Sequence, residues 1–173
     1  MSRLIVLLSA ILAAAALRLV PHPPNFSPID AMALFSGAYL GRRSLAFVAP
    51  LGALLLSDAL LGFYPGMEFQ YLSVVLIVML GSSVLARKAA LRVGGAAVAS
   101  SVLFFAITNF GTWLTSGMYP HSLAGFEACY VAAIPFFQNT VAGDLFYAAV
   151  LFGGFAVAEH FLPRLRPVEA RTA

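Results

Sequence analysis

Long apolar runs broken by short polar segments divide the chain into six blocks: Leu4 to Val20, Ile29 to Leu40, Leu45 to Tyr64, Phe69 to Ala86, Val93 to Leu114 and Thr140 to Leu162. A helix rises about 1.5 Å per residue, so most of these blocks reach across a hydrocarbon core of about 30 Å. The pattern predicts an all-α integral membrane protein, a six-transmembrane-helix bundle forming one domain over residues 1–173. Ile29 to Leu40 is the exception, since a run that short suits a re-entrant or core helix equally well. The first block follows Arg3 and carries small residues at Ala14 to Ala16, a layout shared with secretory signal peptides. Its apolar run continues through Leu17, Leu19 and Val20 with no polar mature domain behind it, so an uncleaved span is expected.

The breaks are of two kinds. Arg42 to Ser44 and Arg87 to Arg92 are terse and basic, whereas Pro21 to Pro28, Gly62 to Glu68 and Thr115 through Phe137 are rich in Pro, Gly, aromatic and polar residues. Within the last of these, Cys129 to Phe137 carries Pro135 and is too short to cross twice; it reads as an interfacial or re-entrant helix leading into the final span, capped by Asn139 or Thr140. Loops of this second kind, gathered on one face of a rigid bundle, are where binding residues usually reside.

Charge sets the orientation. Arg3, Arg42, Arg43, Arg87, Lys88, Arg92, Arg164, Arg166 and Arg171 fall in alternate gaps, and of the ten basic residues only Arg18 is left on the other side. Cytoplasmic loops collect Lys and Arg, which places both termini inside and makes Ile29 to Leu40 cross, because otherwise Arg42 and Arg43 would lie outside. The expected location is the bacterial cytoplasmic membrane. With 61% hydrophobic and 10% charged residues, the net charge of +3 reports topology, and a nucleic-acid partner is not expected.

Candidate chemistry is sparse. Asp58 and Asp144 interrupt apolar helices at about 2.5 to 3.5 kcal/mol each near a helix centre, so something must compensate them: a ligand, a coupled proton, a structural tie between helices, or a helix N-terminus. Asn109 and Trp113 are four apart on one helical face and approach a ligand together, or else serve as an interhelical bond and an interfacial belt residue. His22, His121, Glu127 and Cys129 have metal-ligand or nucleophilic potential without a spacing that selects either. The lone Cys129 excludes an internal disulfide, and no Walker A, GxGxxG or HExxH pattern occurs. No catalytic residue, metal or cofactor is therefore expected. The ligand-binding set is Asn25, Asp58, Tyr64, Asn109, Trp113, Tyr119, His121 and Asn139. Small residues form two stripes that permit close helix approach, Ser9, Ala10, Ala13 and Ala14 on the first span and Ala33, Gly37 and Gly41 on the second. Internal packing and partner docking both use such stripes.

The runs PHPPNFSPIDAMALFSGAYLG, PLGALLLSDALLGFY, TNFGTWL and CYVAAIPFFQNTVAGDLFYAAVLFG resemble an uncharacterised family of small bacterial membrane proteins, domain of unknown function 6580. The six-span plan and Ala-rich first helix are also similar in architecture to the S components of energy-coupling-factor vitamin transporters. That likeness implies a ligand near the outer face and a transmembrane coupling subunit with ATPases, docked on the first helix, where Ala10 and Ala14 match the family's small-xxx-small pattern. The expected function is binding and uptake of a small vitamin-like or cofactor-precursor-like solute. Two rivals stand beside it: a membrane-embedded enzyme using Asp58, His121, Glu127 or Cys129 on a lipid or quinone-like substrate, and a non-catalytic assembly subunit.

Overall fold

The computed structural model describes residues 3–41 and 43–166; Arg42 and Arg171, which contribute to the charge pattern, lie outside the described residues. Helices run in the order α1 (Arg3–Leu17), α2 (Ile29–Leu40), α3 (Ser44–Leu61), α4 (Met67–Val84) and α5 (Ala90–Thr115). The last helix, α6 (Leu123–Phe161), is continuous over 39 residues and contains one π-turn at Ala149–Gly153. No strand occurs among the described residues. By length and composition α3, α4, α5 and α6 are able to cross a membrane, while α1 and α2 are shorter apolar helices. At most 33% of each crossing window is buried within the protein, and exposed Leu55, Leu56, Leu72, Val131 and Phe146 leave the apolar exterior that lipid-facing helices carry.

The short helix sits in the middle. Every residue of α2 from Ile29 to Gly37 is buried, and α2 touches each of the other five helices. A helix that is apolar all round belongs inside, and this placement explains why α2 needs no length of its own to meet lipid. Its tightest neighbour is α4. A Cβ added to Gly37 would stand 2.1 Å from the Val78 carbonyl oxygen, and one added to Gly81 would stand 2.4 Å from that of Leu34. The stripe of Ala33 and Gly37 thus serves packing within the bundle.

The connections 18–28, 62–66 and 116–122 gather at one end, rich in proline; Gly66 abuts Thr115, and Asn139 reaches Pro24. At the opposite, basic end Arg3 pairs with Glu159 and donates to the Leu165 carbonyl, while its guanidinium lies 5.6 Å from the Tyr39 ring centroid and 5.1 Å from that of Phe155. Lys88 covers the same Tyr39 ring at 4.8 Å. Burial, and then the neighbouring Arg3 charge, hold the Lys88 ammonium below its ordinary pKa. These contacts join α1, α2, α6 and the α4–α5 connection.

One expected element differs. The segment from Thr115 through Phe137 was expected to be a loop with a separate interfacial helix, and the last span was expected to begin at Thr140; instead α6 starts at Leu123, and Ser122 caps it by accepting from the Gly125 amide at 3.2 Å. Asn139 and Thr140 lie inside the helix and cap nothing. An interior proline removes a backbone hydrogen bond, but packing along α5 outweighs that loss here. Tyr130 Oη donates to the Ala106 carbonyl at 2.5 Å, Phe105 meets Tyr130 and Phe137, and Trp113 meets Phe126 edge-on. Aromatics with the composition of an interfacial belt here zip two helices together. At about 1.5 Å per residue α6 extends roughly 58 Å, well beyond a 30 Å core, so α5 and α6 project as a hairpin at the proline-rich end.

Candidate functional site

A helix of twelve residues rises only about 18 Å, and its longer neighbours overshoot it. The space above its N-terminus is closed by the connection 18–28, which is pinned to α6 at several points. Asn139 Nδ2 donates to the Pro24 carbonyl at 2.9 Å, and Phe26 packs on Phe146 and Tyr147 with centroids 5.8 and 5.6 Å apart. The Phe26 backbone also lies so near α6 that a Cβ on Gly143 would come within 3.2 Å of it. Asn25 turns the chain at φ 61°, a left-handed conformation that asparagine tolerates better than most residues. Pro28 then leads into α2 and accepts the Met32 amide at 2.8 Å.

What remains is a polar cavity of about 160 Å³. Arg18, His22, Asn25 and Ser27 line it from the connection, Asp30 from α2, Gln70 from α4, and Thr140 and Asp144 from α6, with Ile29 and Phe104 as apolar wall. Two carboxylates face this space almost without exposure, Asp30 at 3% and Asp144 at 2%. Asp144 Oδ2 accepts from Ser101 Oγ at 2.5 Å. Among the described residues, Asp30 Oδ1 is the single buried side-chain polar atom with no hydrogen-bond partner. A carboxylate in the first turn gains about 0.3 to 1 kcal/mol from the helix dipole, against several kcal/mol for burying the ion. Helix stability therefore does not account for Asp30.

Beside the cavity the other buried carboxylate is fully matched. Arg18 Nη1 pairs with Asp58 Oδ1 and donates to Ser57 Oγ at 2.7 Å, and Tyr71 Oη donates to Asp58 Oδ2 at 2.8 Å. The basic residue that stands outside the charge pattern is thus spent on a buried ion pair. Tyr64 Oη donates to Gln70 Oε1 and so braces one wall of the cavity; burial, followed by the Asp58 charge, raises the Tyr64 phenol above its ordinary pKa.

Of the residues expected to bind ligand, Asn25 lines the cavity, Asn139 and Tyr64 hold its walls, and Asp58 lies behind Arg18 with both oxygens engaged. Asn109, Trp113, Tyr119 and His121 belong to the α5–α6 hairpin and do not line it. There Trp113 Nε1 donates to the Pro120 carbonyl at 3.0 Å, and Asn109 Nδ2 donates to that of Phe105 at 2.7 Å. Asp30, Arg18, Ser27, Gln70 and Thr140 were missed, although Asp30 was visible as a carboxylate just inside the second apolar block. No group of three or more His, Cys, Asp or Glu residues suited to a metal occurs among the described residues, and Cys129 is buried with Sγ 3.5 Å from the Asn109 carbonyl. Of the small-residue stripe on α1, Ala10, Ala13 and Ala14 line an apolar groove of about 290 Å³ against the α6 stretch from Tyr147 to Ala158; Ser9 is exposed beside it.

The fold and site define a class: among the described residues, an all-helical protein with four helices long and apolar enough to cross a membrane and a polar cavity between its helices. The family of unknown function DUF6580 matches residues 1–165, and the chain belongs to that family. No curated protein and no solved structure matches it.

Proposed function

We propose that this protein binds a small polar solute in the cavity above α2 and serves its uptake across the bacterial cytoplasmic membrane. In this reading all six helices cross or line the bilayer, the proline-rich end faces outward, and both termini lie in the cytoplasm with the basic loops. One observation carries the proposal: Asp30 lines a polar cavity, and its Oδ1 is buried without a hydrogen-bond partner. Ligand sites combine concavity with a few convergent polar groups, and an unmatched buried acceptor is one that a ligand can complete. The open groove along Ala10, Ala13 and Ala14 supports a second part of the proposal, a transmembrane coupling subunit seated on α1 as in S components. Native mass spectrometry of the purified full chain tests the first part. A retained small molecule, lost in Asp30→Asn with the protein still folded, is the expected result; equal retention by Asp30→Asn would move the solute elsewhere.

A further inference from the structure

We propose that the solute enters the cavity through a primary ammonium group seated between Asp30 and Asp144; this deepens the reading above and rests on it. Charge is the first argument. The two carboxylates share one cavity, while the single arginine on its wall is committed through Nη1 to Asp58 and Ser57, and His22 Nδ1 is turned to the Pro23 carbonyl. Donor and acceptor inventory is the second. Several donors around the site are already spent, Thr140 on the Phe136 carbonyl, Ser101 on Asp144 and Tyr64 on Gln70 Oε1, while Ser27 Oγ accepts from the Ile29 amide at 3.4 Å and keeps its own proton. Acceptors are left over, chief among them Asp30 Oδ1. An ammonium brings three donors and no acceptor, the complement of that inventory. A cation between the two carboxylates also removes the cost of burying unpaired negative charge.

Size narrows the class. About 160 Å³ exceeds a bare ion and falls below the usual 300 to 1,000 Å³ of ligand pockets, so the solute is a compact amine whose short carbon part lies against Phe104 and Ile29.

The test uses the full-length protein in lipid nanodiscs, with ethylammonium chloride as probe and potassium chloride holding ionic strength constant. Thermal unfolding and calorimetric titration are read in parallel with ethanol, sodium propionate and sodium chloride. Ethylammonium is expected to bind saturably and raise the unfolding midpoint, whereas ethanol, propionate and sodium do neither. Asp30→Asn and Asp144→Asn should each weaken ethylammonium by about tenfold or more, the cost of one hydrogen bond to a charged group. Glu127→Gln, an exposed carboxylate outside the cavity, should leave binding unchanged. Saturable, Asp30-dependent binding of ethanol or propionate would keep the cavity as the solute site and overturn the ammonium assignment; saturation by sodium alone would replace it with a metal ion. Saturable binding by none of them would remove both readings. The comparison among ligands on the unmodified protein decides the matter even if a variant fails to fold.

Discussion

Replacing Arg18 by methionine is the sharpest perturbation this structure offers. Met keeps much of the stem volume and removes the charge, which leaves Asp58, whose side chain is 0% exposed, with Tyr71 as its remaining hydrogen-bond donor. Breaking a buried ion pair by removing one partner costs about 3 to 5 kcal/mol, because the other charge stays behind. Asp58→Asn should cost less, since the Arg18 side chain retains 12% exposure and its long stem can carry the charge toward the surface. The double replacement Arg18→Met with Asp58→Leu removes both charges, and for such pairs the outcome ranges from neutral to about 1 to 4 kcal/mol stabilising. A double-mutant cycle on reversible unfolding in mixed micelles measures all three values. An Arg18→Met penalty below about 1 kcal/mol, the size of a surface pair, would mean that the contact is solvent-screened and would refute the argument. The same holds for a double variant as unstable as the single. Sequence alone places Asp58 in the ligand-binding set; the ion pair gives it a structural partner and makes stability the property to measure.

The glycine contact gives a second expectation: Gly37→Ala drives a Cβ into the Val78 carbonyl and should lower stability by more than about 1 to 3 kcal/mol, the usual range for overpacking, whereas Gly52→Ala, which meets open space, should be neutral, both read by thermal melts. Reporter fusions after Arg43, Lys88 and the C-terminus should read cytoplasm and those near Gly66 and Ser122 the outer side; an outside signal at Arg43 removes the six-span orientation. On α1, Ala13 is exposed in the groove and Ala14 is buried at 3%. Ala13→Leu should therefore abolish co-purification with a coupling subunit at unchanged stability, while Ala14→Leu should cost about 1 to 3 kcal/mol by overpacking; co-purification surviving Ala13→Leu would clear the groove of a docking role.

Sequence by itself determined the class of the protein and the positions of α1 to α5, because transfer free energy and turn chemistry are local and additive along a chain. Apolar blocks, proline-rich breaks at one end and basic breaks at the other are legible without a partner in view. Tertiary structure decided the rest. Hydropathy does not say which way an apolar helix is turned or how deep it sits, so it could not tell that α2, the shortest block, would stand at the centre and leave a polar space above Asp30. Nor could it join Arg18 to Asp58, which lie 40 residues apart and meet only once α1 and α3 pack. Local signals at Pro135 argued for a break, and the helix continues because the aromatic seam with α5 contributes more than one backbone hydrogen bond is worth. What a buried charge does depends on which group faces it, and that is a property of the packed bundle.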